Sequence, residues 1–286
     1  MVRIMKDVVI IGMGPAGIQS AIYLKNYNLN CLVLGKDYGD LTKDDFITNF
    51  YSHEKISGFD LIDHGVKQAV KLGIPVKKDP VLSIINEGNH FIIKTENNIY
   101  QSKAVLLATG KVKAKMDVVG FNEFRGKGIH LCATCDGFFY RNKKVGIIGS
   151  GPYLKEELSI LKRFTNDITI FTNNHPFKLE NEKIINEKII GFDGSDRLNK
   201  ITTTKNTYNI DGVFVALDFP VASELALKLG LVMEDDNIVV NDKMETNIKG
   251  VFAAGDCIGG NYQIVKTLND GLLASIGIYN YLKDKL

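Results

Sequence analysis

Short apolar runs that are followed by glycine and then by helical spacing occur twice along the chain. This order predicts a strand, a helix and a second strand each time. The first set has strands at residues 8–11 and 31–34 around a helix at 15–26. The second has strands at 145–148 and 168–171 around a helix that ends near residue 164. The repetition indicates an α/β protein with two Rossmann-like nucleotide-binding domains.

The other apolar segments place the second of these domains inside the first. They predict a helix at 61–72, a meander of strands at 81–85, 91–94 and 99–102, a strand at 104–108, a late strand at 251–254 and a helix at 262–282. The late strand repeats the strand-then-glycine pattern of the first domain. We therefore predict one domain from residues 1–113 plus 244–286, with residues 114–243 inserted in it.

The composition is that of an ordinary globular protein. The chain has 286 residues, of which 45% are hydrophobic and 24% charged, and its formal net charge is +2. This charge gives no reason to expect nucleic acid as a partner, and no apolar run reaches the length of a membrane span. The apolar run at residues 8–18 is broken by three glycines and a proline. We therefore do not interpret it as a signal peptide.

The first glycine cluster, Gly12-Met-Gly14-Pro-Ala-Gly17, follows a predicted strand and opens a predicted helix. In this context Gly12 permits the tight turn, Gly14 lets a pyrophosphate approach the backbone, and Gly17 allows close packing of helix on strand. An acidic residue usually ends the second strand and binds the ribose. Gly35 stands there instead, and Asp37 is the nearest carboxylate.

Two of the four cysteines, Cys132 and Cys135, are separated by two residues and followed by Asp136. A Cys-x-x-Cys pair without export signals points to redox or metal chemistry in a reducing cytoplasm. As a redox pair it would use Asp136 to carry the proton that each exchange step needs. The alternative is half of a zinc site completed by a second copy of the chain in a non-catalytic dimer. We expect His130 to be a strand residue without a catalytic role.

Five motifs resemble, in the same order, those of the bacterial thioredoxin reductases, and the resemblance runs from about residue 7 to the C-terminus. They are Gly12-x-Gly14-Pro-Ala-Gly17, Asn49-Phe50, Ala108-Thr-Gly110, Cys132-Ala-Thr-Cys135-Asp136-Gly137-Phe-Phe-Tyr140 and Val251-Phe-Ala-Ala-Gly255-Asp256. The Cys-Ala-Thr-Cys-Asp-Gly run is highly specific to that family. The resemblance implies a homodimeric FAD enzyme that reduces the disulfide of thioredoxin.

Carried over residue by residue, the resemblance assigns Cys132 and Cys135 as the redox pair and Asp136 as its acid/base. Gly12, Gly14 and Gly17 would contact the FAD phosphates. The full set of implied FAD-binding residues is Gly12, Gly14, Pro15, Ala16, Gly17, Asn49, Ala108, Thr109, Gly110, Gly255, Asp256, Gln263 and Ile264.

The second glycine cluster departs from the family. It reads Gly149-Ser-Gly151-Pro-Tyr-Leu, with bulky residues where a pyrophosphate should approach, and Thr172–His175 replaces the His-Arg-Arg run that clamps the NADPH 2′-phosphate. No arginine follows until Arg197, although arginine is the residue best suited to hold a phosphate. This pattern resembles the ferredoxin-dependent flavin thioredoxin reductases of anaerobic bacteria.

We therefore expect electrons to pass from reduced ferredoxin through FAD to the Cys132–Cys135 pair and then to thioredoxin. The alternative of the same class is an NAD(P)H-dependent thioredoxin reductase with an atypical nucleotide site. Acidic ferredoxin would dock on a basic face. The candidate residues are Lys111, Lys113 and Lys115 before the dithiol and Arg141, Lys143 and Lys144 after it.

Overall fold

The computed structural model describes residues 5–44, 46–110, 116–217, 220 and 222–284. Two compact units are present: residues 1–112 with 221–286, and residues 113–220. The chain returns to the first unit at residue 221, earlier than the predicted residue 244. The reason is packing, since Leu225, Leu231 and Ile238 are buried in an apolar core with strands of the first unit. The predicted boundary at residues 113–114 falls outside the described residues.

The first unit begins with one long segment of alternating strands and helices. Its elements are β1 (Lys6–Ile11), α1 (Pro15–Asn26), β2 (Cys31–Gly35), a 3-10 turn (Asp40–Lys43), α2 (Gly58–Lys71), β3 (Val76–Lys78), β4 (Val81–Asn86), β5 (Phe91–Thr95) and β6 (Ile99–Leu107).

The inserted unit is mostly strands. Its elements are β7 (Ile129–His130), α3 (Ala133–Asp136), a 3-10 turn (Gly137–Tyr140), β8 (Val145–Ile148), α4 (Pro152–Leu161), β9 (Ile168–Phe171), β10 (Lys183–Ile185), β11 (Ile189–Gly194), β12 (Leu198–Thr203), β13 (Thr207–Asn209) and β14 (Gly212–Val215).

The chain then completes the first unit. The last elements are α5 (Ala222–Leu229), β15 (Met233–Glu234), β16 (Asn237–Ile238), β17 (Val251–Ala253), a 3-10 turn (Asp256–Ile258) and α6 (Ile264–Leu282). Among the helices described here, none is both long and apolar enough to cross a membrane.

The first unit is built on a parallel sheet in the order β3-β2-β1-β6-β17, and β5 and β4 extend it from β6 by antiparallel pairing. Alternate residues of β1 face opposite sides of the sheet, since Val8 and Ile10 belong to one apolar core and Val9 and Ile11 to the other. Helices α1, α2 and α6 contribute residues to the first core. Two-sided burial explains why these strands are continuously apolar.

The inserted unit has its own parallel sheet in the order β10-β9-β8-β14-β7. Strands β11, β12 and β13 form a separate antiparallel sheet. Two nucleotide-binding-type parallel sheets are therefore present, and the predicted α/β class is confirmed. Several details differ from expectation: β6 is one continuous strand where two were predicted, and strands β10 to β16 and helix α5 were not predicted. The late strand predicted at 251–254 is β17.

Candidate active site

The loops that follow three neighbouring parallel strands of the first unit carry most of the predicted binding residues. Gly12 follows β1, Thr109 follows β6, and Gly255 follows β17. Because the carboxyl ends of parallel strands lie at one edge of a sheet, these loops share that edge. This is where open α/β sheets bind ligands.

Gly12 and Gly17 allow an unusually close approach of backbone segments. Gly12 has a φ of 122°, and a Cβ atom there would lie 2.0 Å from the carbonyl oxygen of Ala108. A Cβ atom on Gly17 would lie 2.1 Å from the carbonyl oxygen of Gly12. A side chain at Gly12 would push apart the turns that follow β1 and β6, and a side chain at Gly17 would push α1 away from the end of β1. Gly12 thus lies in a tight turn, and Gly17 lies where the helix packs closely on it.

Gly14 and Gly110 differ from that pair because they face open space. Among the described residues, a Cβ atom on either glycine would have no atom within 4 Å apart from those of its chain neighbours. Gly14 is the N-cap of α1 and Pro15 its first residue, so the unpaired N–H groups of the first turn face this space. The buried Thr109 Oγ1 atom nearby in sequence has no hydrogen-bond partner among the described residues. An open glycine cradle beside an unsatisfied hydroxyl fits the phosphates of a dinucleotide.

A buried ion pair on α6 holds the Gly255 loop, and sequence reasoning missed it. Lys266 Nζ lies 2.7 Å from Asp270 Oδ2 and donates to the carbonyl oxygen of Gly259 at 2.6 Å. The backbone N–H of Gly255 donates to the same Asp270 oxygen at 3.2 Å. The only signal in the sequence is the four-residue spacing of Lys266 and Asp270, which places them on one helix face.

The other predicted binding residues lie on the same unit. Asp256 Oδ1 accepts a hydrogen bond from the hydroxyl of Thr267 at 3.2 Å. Asn49 Nδ2 donates to Gln263 Oε1 at 3.3 Å although 214 residues separate them. Gln263 is the N-cap of α6 and Ile264 its first residue. Ala16 lies in the first turn of α1 and is buried.

Gly35 has a packing reason that the sequence did not reveal. Met13, the variable residue of the fingerprint, is only 2% exposed. A Cβ atom on Gly35 would lie 2.9 Å from Met13 Cγ. An acidic residue at the end of β2 would therefore collide with Met13. Asp37 does not simply replace the missing acidic residue, because its Oδ1 atom already accepts a hydrogen bond from the backbone N–H of Gly39.

The dithiol lies at the start of a one-turn helix in the inserted unit. Cys132 is the N-cap of α3 and is joined to Cys135 by a disulfide, with the Cα atoms 5.3 Å apart. The backbone N–H of Cys135 points at Cys132 Sγ from 3.1 Å, an arrangement that favours a thiolate after reduction. Cys132 is 1% exposed whereas Cys135 is exposed. The accessible sulfur is therefore that of Cys135.

Polar side chains surround the dithiol turn. The Asp136 carboxylate lies 3.0 Å from His130 Nδ1, and His130 Nε2 lies 2.7 Å from the hydroxyl of Tyr140. Behind the turn, the buried Glu157 accepts a hydrogen bond from the backbone N–H of Ala133 at 2.8 Å. Sequence reasoning found Asp136 but not these contacts. Tyr140 was noted only as the last residue of the cysteine motif, and Glu157 forms no motif with the cysteines.

The second glycine cluster keeps its turn but has large residues where the first cluster has small ones. Gly149 has a φ of 153°, and a Cβ atom there would lie 2.1 Å from the carbonyl oxygen of Ala216, as in the tight turn of the first unit. Tyr153 and Leu154 follow in the first turn of α4, and both are fully buried. Two large side chains thus occupy the positions of the small residues Ala16 and Gly17.

The turn after β9 is where the family's arginines would stand. Its polar side chains form hydrogen bonds with other residues of the inserted unit. Thr172 donates to Asn186 Oδ1 at 2.6 Å, and Asn173 Oδ1 accepts the backbone N–H of Ile189 at 2.9 Å. Asn173 and Asn174 both have positive φ angles. The polar groups of this turn stabilise the fold of the unit and supply no cation for a phosphate.

The two solitary cysteines belong to the first unit. Burial raises the pKa of Cys31 to about 11 and that of Cys257 to about 12. Within the described residues there is no cluster of three or more His, Cys, Asp or Glu side chains placed to hold a metal ion. The disulfide between Cys132 and Cys135 favours the redox hypothesis.

An α/β chain that combines a dinucleotide cradle with an exchangeable disulfide has the parts of a disulfide oxidoreductase. Residues 6–271 match the family model described as pyridine nucleotide-disulphide oxidoreductase, and the chain belongs to this family. The thioredoxin reductase of Bacillus subtilis is 29% identical over 300 residues, covering 97% of this chain and 95% of that protein.

Two solved structures are similar over the whole length. The atypical thioredoxin reductase TRi of Desulfovibrio vulgaris Hildenborough has a TM-score of 0.89 at 28% identity, covering 98% of this chain and 99% of that one. A ferredoxin-flavin thioredoxin reductase of Clostridium acetobutylicum has a TM-score of 0.72 at 30% identity, with the same coverage. The similarity therefore includes both units.

Proposed function

We propose that this chain is a homodimeric FAD-dependent thioredoxin reductase that receives its electrons from reduced ferredoxin. The observation that carries the proposal is the contrast between an open glycine cradle at Gly14 and a second cluster filled by Tyr153 and Leu154. The enzyme would bind a flavin in the first unit and exchange disulfides in the second. It would not use a nicotinamide nucleotide as its electron donor.

FAD would be held by the residues of the first unit that meet at the sheet edge. Gly12, Gly14 and Gly17 with the N-terminus of α1 would hold the pyrophosphate, and Asp256 the ribityl or pyrophosphate region. Asn49, paired with Gln263, would lie near the isoalloxazine ring. When bound, FAD would take single electrons from a one-electron donor and give them as a pair to the disulfide.

The dithiol step moves two electrons and two protons. A thiolate of the reduced pair attacks one sulfur of the substrate disulfide and forms a mixed disulfide, and the released sulfur takes one proton. The second thiolate of the pair then attacks the mixed disulfide, closes the Cys132–Cys135 bond and releases the second sulfur, which takes another proton. Asp136, next to Cys135 in the chain, would carry these protons.

The surface beside the dithiol suits a protein substrate. Phe138 and Phe139 come two and three residues after Asp136, and each is 58% exposed. Their rings lie 5.0 Å apart, so they form a continuous apolar patch. Exposed aromatic side chains next to a reactive site are typical of protein-binding surfaces, which supports thioredoxin over a small disulfide as the substrate.

Ferredoxin is an energetically sufficient donor. Low-potential ferredoxins have reduction potentials of about −400 mV and thioredoxin has one of about −270 mV. The transfer of two electrons therefore releases roughly 6 kcal/mol. Arg141, Lys143 and Lys144 form an exposed basic cluster after the dithiol, and Lys111, Lys113 and Lys115 lie outside the described residues. An acidic ferredoxin would be attracted to such a cluster.

The proposal is tested by mixing the oxidised protein anaerobically with reduced ferredoxin, NADPH or NADH and following flavin absorbance. Ferredoxin should bleach the flavin, and the rate should fall steeply as ionic strength rises. Excess NADPH should leave the flavin oxidised. A Lys143→Glu/Lys144→Glu variant should be slower with ferredoxin, whereas the exposed control Lys188→Glu should not. Rapid bleaching by micromolar NADPH would overturn the assignment of the donor.

The second candidate is an NAD(P)H-dependent thioredoxin reductase with a rebuilt nucleotide site. It is favoured by Gly149, whose positive φ and tight approach to Ala216 retain the turn of a nucleotide-binding fingerprint. A nucleotide would then have to bind in a different position, because Tyr153 and Leu154 occupy the usual space. Isothermal titration of the protein with NADPH and NADH distinguishes the two candidates, because the ferredoxin-dependent one predicts no binding heat.

A further inference from the structure

His130 is held rigidly beside the dithiol turn. It ends β7, where it pairs with Phe214 of β14, and it is only 8% exposed. Its ring stacks on Phe214 with 5.3 Å between centroids and meets the Tyr140 ring edge-on at 5.2 Å. A buried imidazole with aromatic rings on two sides has little freedom to change its orientation.

Both ring nitrogens of His130 have polar partners. Nδ1 lies 3.0 Å from Asp136 Oδ2, and Nε2 lies 2.7 Å from the Tyr140 hydroxyl. Burial raises the pKa of Tyr140 in spite of the neighbouring Arg197, so the hydroxyl keeps its proton and can donate it to Nε2. A neutral imidazole then carries its own proton on Nδ1 and donates it to the Asp136 carboxylate.

We propose that His130 is a positioning residue that holds Asp136 for proton transfer at the dithiol, with Tyr140 fixing the required tautomer. Asp136 lies at the end of one-turn helix α3, and its side chain is 33% exposed. Without a partner it would sample several rotamers. Binding Oδ2 to His130 limits that freedom and leaves the other carboxylate oxygen to exchange protons with the neighbouring sulfurs. The inference rests on the dithiol function proposed above.

The test uses two substitutions of His130 in the full-length flavoprotein. His130→Phe keeps a ring between Phe214 and Tyr140 but removes the donor to Asp136. His130→Asn keeps an N–H near the position of Nδ1. Exchange is measured by reducing the protein with dithionite and following its reaction with thioredoxin disulfide and with a small alkyl disulfide. His130→Phe should slow exchange about tenfold, and His130→Asn should recover most of that loss.

A double-mutant cycle separates positioning from folding. If His130 acts through Asp136, then His130→Phe should cause no further loss in an Asp136→Asn background. Phe214→Leu is the matched packing control, because it removes a ring contact of His130 and leaves both hydrogen bonds. It should change exchange much less than His130→Phe does, and all variants should retain their flavin and remain folded at the assay temperature.

Two results would overturn the inference. One is exchange within twofold of wild type in His130→Phe. The other is an equal loss of exchange rate from His130→Phe in the wild-type background and in the Asp136→Asn background, which would indicate a purely structural role. The small disulfide keeps this test separate from the proposed function. Wild-type protein that fails to reduce thioredoxin would refute the proposed substrate, while exchange with the small disulfide would still report on His130.

Discussion

The two glycine clusters of this chain share a pattern and differ in what they leave open. Ala16 and Gly17 follow the first turn, and a Cβ atom on Gly17 would lie 2.1 Å from the carbonyl oxygen of Gly12. At the corresponding positions the inserted unit has Tyr153 and Leu154, both fully buried. Helix α4 therefore cannot approach β8 at this point as closely as α1 approaches β1. The two units thus share the parallel sheet and the glycine turn and differ in the size of the side chains that follow the turn.

The same two helices differ one turn later. Counting from the fingerprint prolines, Ser20 of α1 corresponds to Glu157 of α4, and both are buried. Ser20 Oγ has no hydrogen-bond partner among the described residues. Glu157 accepts the N–H of Ala133 and so secures the first turn of the cysteine helix. The helix that would face a nucleotide in the first unit thus supports the disulfide in the second.

The largest effect should come from removing either sulfur of the pair. Cys132→Ser and, separately, Cys135→Ser should abolish thioredoxin reduction, because the two-electron exchange needs both sulfurs. The flavin should remain reducible, since it accepts electrons before the dithiol does. Steady-state reduction of thioredoxin and anaerobic flavin spectra check both parts. Turnover like that of wild type in either variant would remove the pair from the mechanism.

The second largest effect concerns the reactivity of the four cysteines, which differs between the units. A raised pKa keeps a thiol protonated through neutral pH. At pH 8 the thiolate fraction should be about 0.1% for Cys31 and about 0.01% for Cys257, given pKa values of about 11 and about 12. Alkylation of the reduced native protein should therefore label two thiols quickly and these two slowly.

The pH dependence of labelling follows from the same shifts. Between pH 7 and pH 10, labelling of Cys31 and Cys257 should rise about tenfold per pH unit, because the thiolate fraction does. Mass spectrometry of alkylated peptides measures each site. Denatured protein is the control and should label all four cysteines at similar rates. Fast labelling of Cys257 in the native protein would contradict its burial beside β6.

The third effect tests the cradle itself. Gly14→Val should lower bound FAD more than tenfold without unfolding the protein. The glycine has a negative φ and open space around it, so the new side chain would occupy the space of the phosphates. Gly151→Val is the matched control in the inserted unit and should leave the flavin content unchanged. Absorbance of the purified proteins gives both values, and a fully yellow Gly14→Val would refute the placement of the phosphates.

The sequence predicted the elements around both glycine clusters well because their patterns are strong. The helix at 15–26 and the strands at 145–148 and 168–171 have the predicted bounds. Strands such as β10 and β12 were missed because many of their residues are exposed, so they lack continuous apolar runs. Site contacts such as that of Glu157 with Ala133 join residues 24 apart, and no local pattern records them. The roles assigned to the binding residues remain predictions.

The smallest effect compares Ser20 and Glu157 directly. Glu157→Leu would leave the N–H of Ala133 buried without its acceptor, which should cost about 2 to 3 kcal/mol in the free energy of unfolding. Glu157→Gln keeps an acceptor oxygen of the same shape and should cost only about 1 kcal/mol. Ser20→Ala removes a hydroxyl that has no partner and should change stability by less than about 0.5 kcal/mol. Denaturant titrations of the three flavin-loaded variants measure these differences.

If Ser20→Ala destabilised the protein as much as Glu157→Leu, the Ser20 hydroxyl would contribute as much to stability as the Glu157 carboxylate. The proposed difference between the two helices would then be wrong. If instead Glu157→Leu alone also altered the rate at which Cys132 is alkylated, the carboxylate would be linked to the reactivity of the dithiol as well as to the stability of its helix.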